Sequence, residues 1–434
     1  MTLRAGFGRV DITPDYSVHI QGSNWRGRIS DGVLDTLYTT CVALSLGDTT
    51  LLLYTMDLKV ATPNFTVPTK EAVGKAVGIP PEHVLLCATH THSSVAIRYP
   101  WEGVEGYREF FKEACVKAAQ EAMADLAEAQ VYAGTTETQG LTFVRHYRMN
   151  DGSVSGSAFG STKSGYKCHV READPQLQVI RLERAGKKDI VLLSFPCHGT
   201  FQGNSTKLSA DWPSPTRQYI EEHSDSLVAV FQGASGDQTP GSRIPGLAHT
   251  DYQLHGQALG SYALQAMPTL KKQSQETLKL HRWSYTGPSN FKNIDKLPQA
   301  IEIKELIEQF GPTAKEVNEA VKKYGFSSRY DANWTILRSK EDATNTMELA
   351  AVVLGSLAFV LAPYEMFSEQ GKFIKANAPF DQAFIITCYN ESFNYIASKE
   401  AFDYNCYESQ CCYFARGVAE DLAQNYVDTL AKMK

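Results

Sequence analysis

The stretch Leu85–Ser93, LLCATHTHS, decides how the rest of the chain is read. The apolar run VLLCA at 84–88 has the character of a buried strand and stops at once on Thr89-His90-Thr91-His92-Ser93. Residues two apart in an extended segment point to the same side, so His90 and His92 are expected to face one cleft. The C-terminal end of a strand is also where open α/β sheets place their ligands. A polar loop of hydrogen-bonded histidines would show the same short pattern, so its meaning depends on its company.

Working outward, strands are expected in AGFGRVDITP (5–14), TLYTTCVALSLG, TTLLLYTMDL, AQVYAGTTETQ, LTFVRHYRMNDG, PQLQVIRLER, DIVLLSFPCHGT and SLVAVFQGASGD. Helices are expected in PTKEAVGKAVGIP, in 107–129 (YREFFKEACVKAAQEAMADLAEA), in DWPSPTRQYIEEH entered through prolines, in TDYQLHGQALGSYALQAM and in RGVAEDLAQNYVDTLAKM. Residues 352–362, VVLGSLAFVLA, read as a core strand with its lead-in, too short to span a membrane. GSVSGSAFGSTKSG (152–165) reads as a long loop, and charged, helix-forming sequence at about 296–345 as a helical insertion. No repeat or linker divides the 434 residues, so the expectation is one mixed α/β (α+β) domain, its sheets flanked by helices, over 1–434.

With 43% apolar and 21% charged residues, the composition is that of an ordinary globular protein. A net charge of -6 and the absence of a basic block argue against nucleic acid or an anionic membrane as partner. The N-terminus lacks an apolar signal core and the nine cysteines have no regular spacing, so a reducing, cytoplasmic location is expected, a removed leader aside. Cys406, Cys411 and Cys412 lack a second pair at zinc-ribbon spacing and read as buried thiols.

Four further strand ends repeat the opening pattern. DIVLLSFPCHGT delivers His198; VAVFQGASGDQTP delivers Asp237, Gln238 and Thr239; SLAFVLAPYEMFSEQG delivers Glu365; FIITCYNESFNYIAS delivers Tyr395, with Tyr407 soon after in NCYESQ. Together they supply imidazoles, a carboxylate and a phenol, a plausible zinc set.

In order along the chain, AGFGRVDITP, THTHS, FPCHGT with SADWP, QGASGDQTP, APYEMFSEQG and NYIASKEAFDYNCYE resemble the catalytic domain of the neutral, non-lysosomal ceramidases, from about residue 5 to 415. That family consists of zinc-dependent amidases that cleave the N-acyl bond of ceramide. The resemblance implies that His90, His198, Glu365 and Tyr395 bind Zn2+, that His92 transfers protons beside it, and that Tyr407 faces the substrate. It also makes Arg145, in FVRHYR, the candidate for the family's active-site arginine, with His146 and Arg148 close by in sequence. Zinc in such a site lowers the pKa of water from about 16 to roughly 7. His92 suits transfer to the leaving amine, and Arg145 and Tyr407 suit an oxyanion. Asp57, Asp211 and Asp237 are available to orient the histidines, with a cap or turn carboxylate the equal alternative for each.

Two departures bear on substrate. GDQTP carries Thr239 where ceramidases have a serine, and the chain ends soon after the tyrosine motif, without the family's immunoglobulin-like C-terminal domain. With no apolar membrane-binding loop either, the expected substrate is a soluble small molecule, an N-acyl amide with esters or lactones as neighbours, and no stable membrane association. Oligomeric state is left open. The rivals are a metal-independent hydrolase or esterase with Cys197 or Thr239 as nucleophile and His198 or His92 as base, and a catalytically silent binding protein. A glycoside hydrolase lacks a partner for Glu365.

Overall fold

The computed structural model describes residues 1–22, 28–156, 165–244, 246 and 251–434. Most of the loop expected at 152–165 therefore lies outside the described residues, apart from its two ends. The larger sheet contains β1 (Arg4–Asp11), β2 (Tyr38–Leu46), β3 (Thr49–Met56), β4 (Val84–Ala88), β5 (Ala127–Glu137), β6 (Gln176–Arg184), β7 (Asp189–Phe195) and β8 (Ser226–Gln232). Their order is β8-β7-β6-β5-β1-β2-β3-β4, parallel at β7/β8 and β3/β4 and antiparallel elsewhere, with a short strand at Lys271–Lys272 added on β5. The sheet curls so that β8 at one edge reaches β3 near the other: Thr55 Oγ1 on β3 donates to the Val230 carbonyl on β8.

A second sheet runs β9 (Leu278–Pro288), β10 (Thr344–Leu354), β11 (Leu357–Leu361) and β12 (Gln382–Ile386) in that order, with only β11/β12 parallel. The sheets pack face to face through Leu53, Leu85, Ile180, Leu192 and Phe231 on one side and Val352, Phe359, Phe384 and Ile386 on the other. Outside the first sheet lie α1 (Pro63–Val77), α2 (Val104–Ala124), α3 (Pro213–His223) and α4 (Tyr252–Ala266). Between β9 and β10 lie α5 (Leu297–Phe310), α6 (Lys315–Lys323) and α7 (Arg329–Arg338). The second sheet is covered by α8 (Ser368–Asn377) and α9 (Val418–Met433). This is the mixed α/β architecture of sheets flanked by helices, in four layers.

Local departures from the sequence reading have tertiary causes. Helix α2 stops at Ala124, and 127–129 begin β5, because Ala129 pairs with Arg184 on β6. Strand pairing there overrides the good helix formers Leu126, Ala127 and Glu128. Residues 352–362 form two strands, since Gly355 at φ +56° turns β10 into β11. Strand β9 escapes sequence reading because it is an edge strand whose buried positions are interrupted by exposed ones such as Lys279, His281, Ser284 and Thr286. Helices α5–α7 share a small apolar cluster of Ala300, Ile303, Val317, Ala320, Phe326 and Ala332 and leave the β9/β10 ladder where Pro288 meets Thr344.

Candidate metal centre

The chemistry-bearing loops leave the C-terminal ends of β4, β7, β8, β11 and β12, and backbone bonds hold those ends together. Thr387 N, just past β12, donates to Gln232 O at the end of β8 (2.8 Å), and Ala88 N on β4 donates to Cys388 O (3.1 Å). Thr91 and Gly199 form a parallel bridge, with His92 N donating to Gly199 O at 2.9 Å, so THTHS runs beside CHGT. Glu365–Met366 and Tyr395–Ile396 form a two-residue parallel ladder that sets Glu365 opposite Tyr395. Gly236 lies where any side chain would strike the Glu365 and Met366 carbonyls, so the glycine of QGASGD lets this loop pass against that ladder.

The histidine segment is not the extended stretch expected from its sequence. His90 has φ +62°, and its amide donates to Leu58 O at 3.0 Å. The rings converge nonetheless, with centroids 5.0 Å apart for His90/His92 and 4.8 Å for His90/His198. Donor atoms of His90, His92 and His198 all lie within 4.8 Å of one another, and all three residues are buried.

Hydrogen bonding on the far side of each ring decides what faces inward. His90 Nδ1 lies 2.7 Å from Lys59 O, and His198 Nδ1 lies 2.7 Å from Ser235 O and 2.9 Å from Gln238 O. Carbonyls only accept, so Nδ1 carries the hydrogen and the neutral rings present Nε2 lone pairs. Both Nε2 atoms stand 3.1 Å from the same Glu365 Oε2. Two imidazole lone pairs and a carboxylate oxygen converge on one point, which requires a positive charge between them. A protein alone supplies a proton; a metal ion of suitable softness fits the same donor set. Burial opposes a charged His90, but Glu365 beside it outweighs burial and lifts its pKa to about 10. Burial and the Arg145 charge push His198 down to about 4, and burial with the Lys59 charge pushes His92 well below its usual value. Burial would raise Glu365, but the His90 charge overrides it and holds the carboxyl well below its usual range.

The remaining candidates surround this point in part. The Tyr395 ring lies 6.3 Å from His198, and burial, then Glu365, raise its phenol. The Arg145 guanidinium sits 5.3 Å from the Tyr395 ring centre and hydrogen-bonds its side chain. Arg148, by contrast, is exposed. Tyr407 lies 5.9 Å from Tyr395, and its amide donates to Gly156 O at 3.0 Å. Thr239 pairs with Phe143, and its hydroxyl is 3.5 Å from that of Thr200.

The aspartates considered as histidine orienters are engaged elsewhere. Asp57 holds Arg217 in a two-pronged bond (3.0 and 2.7 Å). Asp211 accepts from the amides of Gln202 and Trp212. Asp237 accepts from Ser368 N and Oγ (2.7 and 2.9 Å), closing the first turn of α8. Backbone carbonyls, which no sequence pattern announces, orient the rings instead. Cys197 points away into an apolar cluster, its thiol directed at Leu141 O, and burial raises its pKa, so it is poorly placed as a nucleophile.

Sequence reading missed Glu408, which binds Arg145 Nε (2.6 Å) and His146 Nε2 (2.8 Å), although it directly follows Tyr407. It also missed Lys59, at the end of TMDLK, another strand end followed by charged residues. His146, Cys406 and Glu408 form a second group of metal-ligating types. Both Glu408 oxygens are already used, and the Cys406 sulfur accepts from Ser409 N, so this group reads as the anchor of Arg145.

No family model and no curated protein matches the chain. Among solved structures it is similar to the crystal structure of neutral ceramidase from Pseudomonas aeruginosa, with a TM-score of 0.72 and 16% identity over 100% of this chain and 74% of that one. It is similar as well to a ceramidase complexed with C2, with a TM-score of 0.72 and 14% identity over 100% of this chain and 75% of that one. At such identities the likeness speaks for architecture, and the chain has the neutral ceramidase fold.

Proposed function

We propose that this protein is a zinc-dependent hydrolase that cleaves the amide bond of a small N-acyl substrate with water. The observation that carries the reading is the convergence of His90 Nε2 and His198 Nε2 on one Glu365 oxygen with both Nδ1 atoms tied back to carbonyls. His90, His198, Glu365 and Tyr395 are the residues that would hold zinc. When bound, zinc supplies Lewis acidity that polarises the amide carbonyl and brings water towards a pKa near 7.

The chain's own residues do the rest. His92 Nε2 lies 3.3 Å from His90 Nε2, close enough to take a proton from the attacking water and pass it to the leaving nitrogen. Its depressed pKa favours the neutral ring that accepts the proton first. Arg145, held by Glu408 and by the Gly236 carbonyl (2.8 Å), presents a fixed positive charge beside Tyr395. Such a preset charge stabilises a developing oxyanion, with Tyr407 as the hydroxyl donor facing the substrate. Tyr330 on α7 stacks edge-on against Tyr407 at 5.5 Å, so the helical insertion reaches the substrate wall.

The test is metal content by elemental analysis of wild type and of His90→Ala, His198→Ala and Glu365→Gln. The expected result is about one zinc per chain, lost or sharply weakened in each variant. A wild type that takes up no zinc after reconstitution removes the reading.

A further inference from the structure

Two cations beside the histidines have no ion-pair partner among the described residues. Lys59 lies one residue past the Leu58 carbonyl that receives the His90 amide, and its own carbonyl holds His90 Nδ1. Its ammonium donates to Gly22 O at 3.3 Å. Arg28 Nη2 donates to His92 O at 2.8 Å, and its Nη1 to the Ser205 carbonyl. Any side chain at Gly22 would strike the Arg28 guanidinium and the His92 carbonyl, so both cations meet at Gly22, beside the THTHS segment. Both residues are part-buried, and among the described residues every hydrogen-bond acceptor they have is a neutral carbonyl. The Arg28 Nε is buried with no hydrogen-bond partner among the described residues.

Part-buried charges facing only carbonyls are costly to keep, and a complementary anion offsets that cost. Glu365 is the nearest anion and its charge favours the Lys59 ammonium, but it is shared with both histidines and makes no ion pair with Lys59 or Arg28. The donors left over are the Nε–H and one Nη2 hydrogen of Arg28 and two ammonium hydrogens of Lys59, enough for the two oxygens of one carboxylate. Arg28 holds the His92 carbonyl, and in the hydrolase reading His92 serves the leaving nitrogen, so that reading assigns the anion to the amine half of the substrate.

We propose that Lys59 and Arg28 form an anion subsite and that the substrate is an N-acylated amino acid whose carboxylate they hold. This rests on the amidase reading for its chemistry. Water supplies the oxygen of the new acyl carboxylate, the C–N bond breaks, and the nitrogen takes up a proton to leave as the free amino acid. In an N-acyl amino acid the carboxylate carbon is separated from the scissile nitrogen by one carbon, which keeps the anion next to the reacting centre.

The experiment compares N-hexanoylglycine with its uncharged carboxamide, N-hexanoylglycinamide, on the full-length protein. Binding is measured by calorimetry after chelation, so that a carboxylate cannot report metal ligation, and kcat/KM is measured on the zinc-loaded protein. Wild type is expected to favour the acid at least tenfold in both assays. K59M is expected to abolish that preference and K59R to retain most of it, with zinc content matching wild type in each. Equal affinity for acid and carboxamide in wild type, or a preference that survives K59M, overturns the subsite. Turnover of both compounds at equal efficiency overturns the subsite and leaves the amidase reading standing. Selective, Lys59-dependent binding of the acid without turnover of either supports the subsite and counts against the amidase.

Discussion

Arg145 Nε donates to Glu408 Oε1 at 2.6 Å with both side chains buried, and the other Glu408 oxygen is bonded to His146. Glu408→Gln leaves the guanidinium without its counter-charge, and breaking such a pair costs about 3–5 kcal/mol. Urea unfolding at pH 7 measures it. Burial alone would raise the Glu408 carboxyl, but Arg145 and His146 outweigh it and hold it at about 2 against an ordinary 4.5. A depressed carboxylate stabilises fully above its unfolded pKa and loses that contribution as pH falls towards its folded value. The gap between wild type and variant is therefore expected to shrink between pH 4.5 and 2, by on the order of 3 kcal/mol. A gap that stays constant over this range would refute the assignment.

Asp57 is a structural carboxylate in this arrangement, gripping Arg217 and accepting from Tyr38 N at 2.9 Å. Asp57→Asn is expected to cost about 3–5 kcal/mol in stability. Zinc stoichiometry of the folded variant should equal that of wild type. Loss of metal without loss of stability would return Asp57 to the role of histidine orienter.

Asp211 behaves in the opposite sense to Glu408. Burial outweighs its bonds to the Gln202 and Trp212 amides and raises the carboxyl from 3.8 to about 7. The native state thus holds the proton more tightly than the unfolded chain, and stability falls as pH rises from about 4 through 7, by on the order of 4 kcal/mol. Asp211→Asn keeps an acceptor oxygen and suits the left-handed backbone there, φ +63°. It should flatten this slope and be at least as stable as wild type at pH 8, as thermal melts across pH will show.

Tyr330 provides the direct contact between the insertion and Tyr407. Under the hydrolase reading, Tyr330→Ala is expected to raise KM several-fold or shift acyl-chain preference while zinc content stays at the wild-type level. Steady-state kinetics on a series of acyl lengths decides this; unchanged constants across the series would remove α7 from the substrate wall.

The strand ends were legible because each pairs a continuous apolar run with an abrupt change to reactive side chains, as in VLLCA-THTHS and DIVLLSFPC-HGT. The helix after Trp212 was legible for the same kind of local reason, since Pro213 and Pro215 suit a first turn. Edge strand β9 was hidden by its exposed face, and the end of α2 by residues whose helix preference yields to pairing with β6. Glu408 and Lys59 stand beside recognisable residues, yet their partners Arg145 and Gly22 come from distant segments.

By itself the sequence determined the alternation of strands and helices and the identity of the side chains that end the strands, because both depend on local pattern. It also carried the ordered motifs that resemble neutral ceramidases. Only the tertiary structure decided that His90, His198 and Glu365 meet at one point, since that depends on backbone bonds between strand ends far apart in the chain. It likewise decided that carbonyls of Lys59, Ser235 and Gln238, rather than any aspartate, aim the imidazoles. A main-chain acceptor is offered by every residue and acquires a role only from position, so no residue type in the sequence could have marked it.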